Sequence, residues 1–66
     1  MEITVDDLTR EVPDGASLSQ VLVLLGEPDT HFIVEINGSY IPKAKYESIK
    51  LSSGDRLEVI YPAFGG

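Results

Sequence analysis

Phe32-Ile33-Val34-Glu35-Ile36-Asn37-Gly38-Ser39-Tyr40-Ile41-Pro42 is the stretch on which the fold turns. Its first five residues are too apolar and too rich in β-branched side chains for a sheet edge, so they predict an interior strand. Asn37-Gly38 is the strongest short hairpin signal available, because both residues tolerate the positive φ that a two-residue turn demands. Ser39-Tyr40-Ile41 then returns as a short strand, which Pro42 ends because it has no N–H to give to a ladder.

Towards the N-terminus, Ile3 and Val5 alternate with Glu2 and Thr4, and Asp6-Asp7 interrupts the pattern before Leu8, Arg10 and Val12 resume a period of two. This predicts a second hairpin with an acidic turn. Pro13-Asp14-Gly15 ends its second strand. Ser17 with Gln20 three residues on matches a capping box, and Leu18, Val21, Leu22 and Leu25 follow at the spacing of an amphipathic helix that Gly26 stops. Glu27-Pro28-Asp29-Thr30 reads as a loop.

Towards the C-terminus, Lys43 to Lys50 predicts irregular or short helical-turn structure around Tyr46. Ser52-Ser53-Gly54-Asp55 is a turn that launches a last strand, with Leu57, Val59 and Tyr61 alternating against Glu58 and Ile60. The element order is strand, strand, helix, strand, short strand, strand. One main helix across a mixed sheet of four to five strands is an α+β roll, in which the last strand can lie centrally beside the first. The expected division is a domain over residues 1–61 and an exposed, flexible tail over 62–66.

Sixty-six residues make one domain near the lower size limit for independent folding, with a small core and little room for a sizeable pocket. There is no Cys, so neither a disulfide framework nor a zinc thiolate site exists, which fits a cytoplasmic protein. The longest apolar run, Val21 to Leu25, falls far short of the roughly 20 residues that span a bilayer, and no secretory pattern precedes it. The chain thus reads as a soluble protein made at its working length. A net charge of -6 opposes nucleic-acid binding. The acidity points either to a partner with a basic face or to a role in solubility alone.

The inventory for catalysis is poor. His31 is the single histidine, and no nucleophile or carboxylate motif surrounds it. Asp6, Asp7, Asp14, Glu27 and Asp29 lack the spacing of a calcium loop, so no metal site is expected, and the turn glycines form no phosphate-cradling cluster. Val23 and Leu24 lie off or at the margin of the helix core face and are expected to widen the core. Ile33 and Ile60 point to the opposite sheet face from their neighbours, and serve equally well as extra core or as a partner-docking patch.

One reactive candidate is left, the terminal carboxylate of Gly66. Glycine has no Cβ, so an extended Gly65-Gly66 threads a slot too narrow for other residues. Pro62 to Gly66 reach roughly 17 Å when extended, at about 3.3 to 3.6 Å per residue. A carboxylate is a poor acyl electrophile, so a partner must first convert it, most cheaply with ATP to an acyl-adenylate. A sulfur donor would then give a thiocarboxylate, and a lysine amine an isopeptide. The equally simple alternative is a terminal linker without a role.

Over nearly its whole length the chain resembles the ThiS/MoaD family of ubiquitin-like sulfur carriers with a β-grasp fold. The matching pieces are Val12-Pro13-Asp14-Gly15 with Ser17-Leu18, Val34-Glu35-Ile36-Asn37-Gly38, Ile41-Pro42-Lys43 with Tyr46, Gly54-Asp55 with Leu57-Glu58-Val59, and Gly65-Gly66. The body resembles the ThiS branch, which delivers sulfur to the thiazole of thiamine. Pro62 is a feature more often met in the MoaD branch, which serves molybdopterin synthesis, and Phe64 is bulkier than usual before the diglycine.

The resemblance implies that the protein is no enzyme. Gly66 would be adenylated by a ThiF/MoeB-type adenylyltransferase, sulfurated through a cysteine desulfurase or rhodanese relay, and presented to a thiazole synthase or another acceptor. Gly65 and Phe64 would present the end, with Ile33, Ile60 and Pro62 as docking residues. ATP and magnesium would belong to the activating partner, with no cofactor on the chain and no nucleic acid or membrane involved. A protein modifier acting through Gly66 and a noncovalent docking module are the competing readings.

Overall fold

A computed structural model describes residues 1–26 and 32–61. The elements are β1 (Glu2–Val5), β2 (Leu8–Glu11), α1 (Leu18–Leu24), β3 (Ile33–Ile36), β4 (Ser39–Ile41), a 3₁₀ turn (Lys43–Lys45) and β5 (Arg56–Ile60). They form one five-stranded sheet in the order β2-β1-β5-β3-β4. β5 is parallel to β1 and antiparallel to β3, so the last strand lies in the middle as the sequence predicts.

Local chemistry accounts for the pieces. Asp6 and Asp7 turn the first hairpin with φ of 48° and 69°, and Asn37-Gly38 turn the second with 53° and 83°. Positive φ at both central residues gives a turn whose twist matches that of the flanking strands. The Ser17 hydroxyl accepts from the Gln20 amide at 3.1 Å, and the Gln20 side chain accepts from the Ser17 amide at 2.9 Å. This closed box starts α1. Gly26, at φ 72°, donates its amide to the Val23 carbonyl and ends it. The segment after Pro42 is a single 3₁₀ turn leading to Tyr46, as expected.

The core is built from Ile3, Val5, Val34, Leu57 and Val59 of β1, β3 and β5 against Leu18, Val21 and Leu22 of α1, closed by Val12, Ala16 and Leu51. Neither β2 nor β4 contributes a buried residue. A helix about 10 Å across covers three strands spaced about 4.8 Å apart, so the two outer strands fall beyond its reach. The alternation predicted for Leu8 and Arg10 therefore buries neither, and Leu8 remains 63% exposed.

Val23 and Leu24 do not widen the core; they are 75% and 62% exposed. At about 100° per residue they point about 150° and 110° away from the buried Leu18, Val21, Leu22 stripe, and only one layer packs on this helix.

Candidate functional site

The root of the C-terminal tail is the candidate site, and three features surround it. Pro62, Phe64, Gly65, Gly66 and the isolated His31 lie outside the described residues, as does the loop read at Glu27 to Thr30.

On the β1 side, the ladder ends at the Val5–Leu57 register pair. The Asp6 amide donates to the Leu57 carbonyl at 3.0 Å, and the Asp6 carboxylate accepts from the Val59 amide at 3.2 Å. A side chain thus continues the strand pairing past the last backbone rung.

On the helix side of the sheet lie Phe32, Tyr46 and Tyr61. The Phe32 ring meets the Tyr61 ring edge to face, with centroids 5.8 Å apart, and lies parallel to Tyr46 at 6.5 Å. Both are favoured aromatic arrangements. Burial, followed by the nearby Tyr40, pushes the Tyr46 phenol up from its ordinary value. Phe32 packs against the core while Tyr61 is half exposed, so the cluster links the core to the last residue before the tail.

On the open face, Ile33 and Ile60 are register partners, each 38% exposed. Strand alternation brings the two sequence-predicted docking residues into one patch. Beside them Glu35 faces Glu58 across the same strand pair, with Tyr40 opposite Glu35 on the other side. Two like charges in register are destabilising, and neither has an ion-pair partner among the described residues. The face that accompanies the tail root is therefore apolar at its end and acidic behind it.

An open furrow of about 660 Å³ runs between Pro13-Asp14-Gly15-Ala16 and the exposed helix residues, with Lys50 on its rim. It is wider than the short chain leads one to expect, though it is a furrow and not an enclosed cavity. Among the described residues no group of His, Cys, Asp or Glu is placed to hold a metal ion, and no helix is long and apolar enough to cross a membrane.

The sequence singles out Ile33 and Ile60 but shows Asp6 only as a turn residue. Its side-chain role leaves no local signal, since the amide it accepts from is 53 residues away. In the sequence Phe32 is only one member of an apolar strand.

A single helix laid on a mixed sheet with the last strand central and parallel to the first defines a β-grasp, ubiquitin-like domain. The chain superimposes with a TM-score of 0.89 on a crystal structure of the thiamine biosynthesis protein ThiS from Geobacter metallireducens, 23% identical, over all of both chains. An NMR structure of a thiamine biosynthesis protein from the same organism gives 0.78 at 23% identity, covering all of this chain and 88% of the other. These likenesses establish the fold. The model of the ThiS family matches residues 1–66, and the chain belongs to that family: it is a ThiS-like sulfur carrier. A comparison with curated proteins finds no match.

Proposed function

We propose that the Gly66 carboxylate is the sulfur-carrying group and that the thiazole of thiamine receives the sulfur. A ThiF/MoeB-type adenylyltransferase, using its own ATP and magnesium, joins the carboxylate to AMP and releases pyrophosphate. The outer sulfur of a persulfide on a cysteine desulfurase or rhodanese-type donor displaces AMP to give an acyl disulfide, and a partner thiol then attacks the donor's own sulfur, forming a disulfide with it and releasing the Gly66 thiocarboxylate for delivery to a thiazole synthase. The carrier supplies a presented end and a handle, and the chemistry belongs to its partners.

The observation that carries this reading is that the family match runs through Gly65-Gly66, the two residues the chemistry needs. The thiamine assignment rests on the ThiS branch and on the neighbour described as a thiamine biosynthesis protein. The Ile33–Ile60 patch, with the Glu35–Glu58 pair behind it, supplies a docking face for a partner with an apolar spot and a basic rim. Pro62, Phe64 and Gly65 then lead the end into the partner's slot.

Intact mass of the protein from its native cell tests the reading. Replacement of one oxygen by sulfur adds about 16 Da, confined to the C-terminal peptide. Unmodified mass together with conjugates on partner lysines would instead establish a modifier, and neither change would leave a docking module.

A further inference from the structure

We propose that Asp6 is a positioning residue for the root of the tail: its carboxylate holds the end of β5 in place, so that a partner meets that root already ordered. This rests on the carrier reading, and it concerns a residue outside the tail and outside the docking face.

β1 and β5 run parallel with register pairs Thr4–Arg56 and Val5–Leu57. The Thr4 amide donates to the Asp55 carbonyl and the Asp6 amide to the Leu57 carbonyl, each at 3.0 Å. At Asp6 the backbone goes left-handed, with φ 48°, and β1 turns away into β2. β5 continues past that point, and the Val59 amide faces the side that β1 has just left. The Asp6 carboxylate takes it at 3.2 Å.

The other flank of β5 is held to its end by β3, where Ile60 pairs with Ile33. With Asp6 in place the strand is held on both sides at Val59, three residues before Pro62. Held on one side only, the root can pivot about the β3 ladder. A partner that must reorder the root on binding loses affinity.

Asp6→Gly keeps the left-handed turn, because glycine accepts φ 48° without strain, and removes the acceptor. Asp6→Asn keeps both the turn and an acceptor oxygen. Both are compared with the parent by amide hydrogen exchange and by ATP–pyrophosphate exchange with a ThiF/MoeB-type adenylyltransferase. Should Asp6→Gly not fold, Asp6→Ser, whose side chain stops one atom short of the carboxylate, is read in the same assays.

In Asp6→Gly the Val59 amide is expected to exchange at least about tenfold faster while Val34 and Val21 stay protected, and KM for the carrier to rise about tenfold at constant kcat. In Asp6→Asn both readouts stay within about twofold of the parent. A Val59 amide that loosens with no change in KM overturns the proposal and leaves the carrier reading standing, as does a Val59 amide that does not loosen. A parent that is never adenylated overturns the carrier reading and takes the proposal with it.

Discussion

Asn37, in the turn between β3 and β4, and Asp55, at the head of β5, are hydrogen-bonded from Nδ2 to Oδ1 at 3.0 Å although eighteen residues separate them. The Asn37 carbonyl oxygen Oδ1 also accepts from the Arg56 amide at 2.9 Å, and Asp55 Oδ2 accepts from the Ser52 amide at 2.8 Å. One asparagine therefore turns a hairpin and pins the start of the central strand. The two roles separate by mutation. Asn37→Gly keeps the left-handed backbone and loses the side-chain bonds, at a cost of about 1–2 kcal/mol. Asn37→Ala also forces φ 53° on a residue with a Cβ, adding about 1 kcal/mol. Urea unfolding measures both; equal losses would mean the turn carries no strain.

Leu57 is 1% exposed at the centre of the sheet, while its near neighbour Ile60 on the same strand is 38% exposed. Leu57→Ala should cost about 2–5 kcal/mol through lost transfer energy and a residual cavity. A domain this small has a total stability near the low end of about 5–15 kcal/mol, so that loss populates the unfolded state at room temperature. Ile60→Ser should stay within about 1 kcal/mol, and Leu24→Ser on the bare helix face within about 0.5. A large loss at Leu24 would contradict its exposed placement.

What the sequence made legible was local. Both hairpins, the capping box, the Gly26 stop and the turn before β5 are each written in two to four adjacent residues, and α1 needs only a seven-residue periodicity. The central place of β5 follows from connectivity, since the last strand has to pair with β1 and β3 to close the roll. Less legible was anything set by the width of the helix or by contacts across the sheet. Leu8 alternates like a half-buried residue and stays exposed because α1 covers three strands and no more. Asp6 reads as a turn aspartate, and only the folded sheet brings Val59 to it. Alternation marks Ile33 and Ile60 separately as outward-facing, yet their register partnership belongs to the strand pairing.

The Met1 ammonium lies 2.8 Å from Asp14 Oδ1 and 3.3 Å from Glu11 Oε1, and donates to the Val12 carbonyl at 2.6 Å. Hydrogen bonding to Asp14 is the main cause that raises the ammonium above its usual value, and hydrogen bonding to the ammonium holds the Asp14 carboxyl below the carboxylate range. The raised ammonium contributes stability that is present below about pH 8 and is lost as pH climbs through its folded value. The lowered carboxyl contributes stability that is present above about pH 4 and is lost as pH falls through its folded value. The difference in Tm between the parent and Asp14→Asn should therefore be greatest between those limits and shrink outside them. A difference that is flat with pH would show that the pair does not couple to folding.

Gly66 and Gly65 give the last prediction, in which chemistry and folding should separate completely. The core is assembled from residues 3 to 59, and the register of β5 ends at Ile60. Deleting Gly66 should thus change the unfolding free energy by no more than a surface substitution does, about 0.5 kcal/mol, while removing the carbonyl that accepts AMP at the required reach. Gly65→Leu keeps the carboxylate and the chain length but puts a branched side chain where an extended diglycine must thread a narrow slot. Both variants should fail in ATP–pyrophosphate exchange with the adenylyltransferase, and Gly65→Leu should also fail to compete with the parent for the tail slot. Growth of a thiamine-requiring strain complemented with either variant would show that the terminal diglycine is dispensable, and would remove Gly66 as the carrying group.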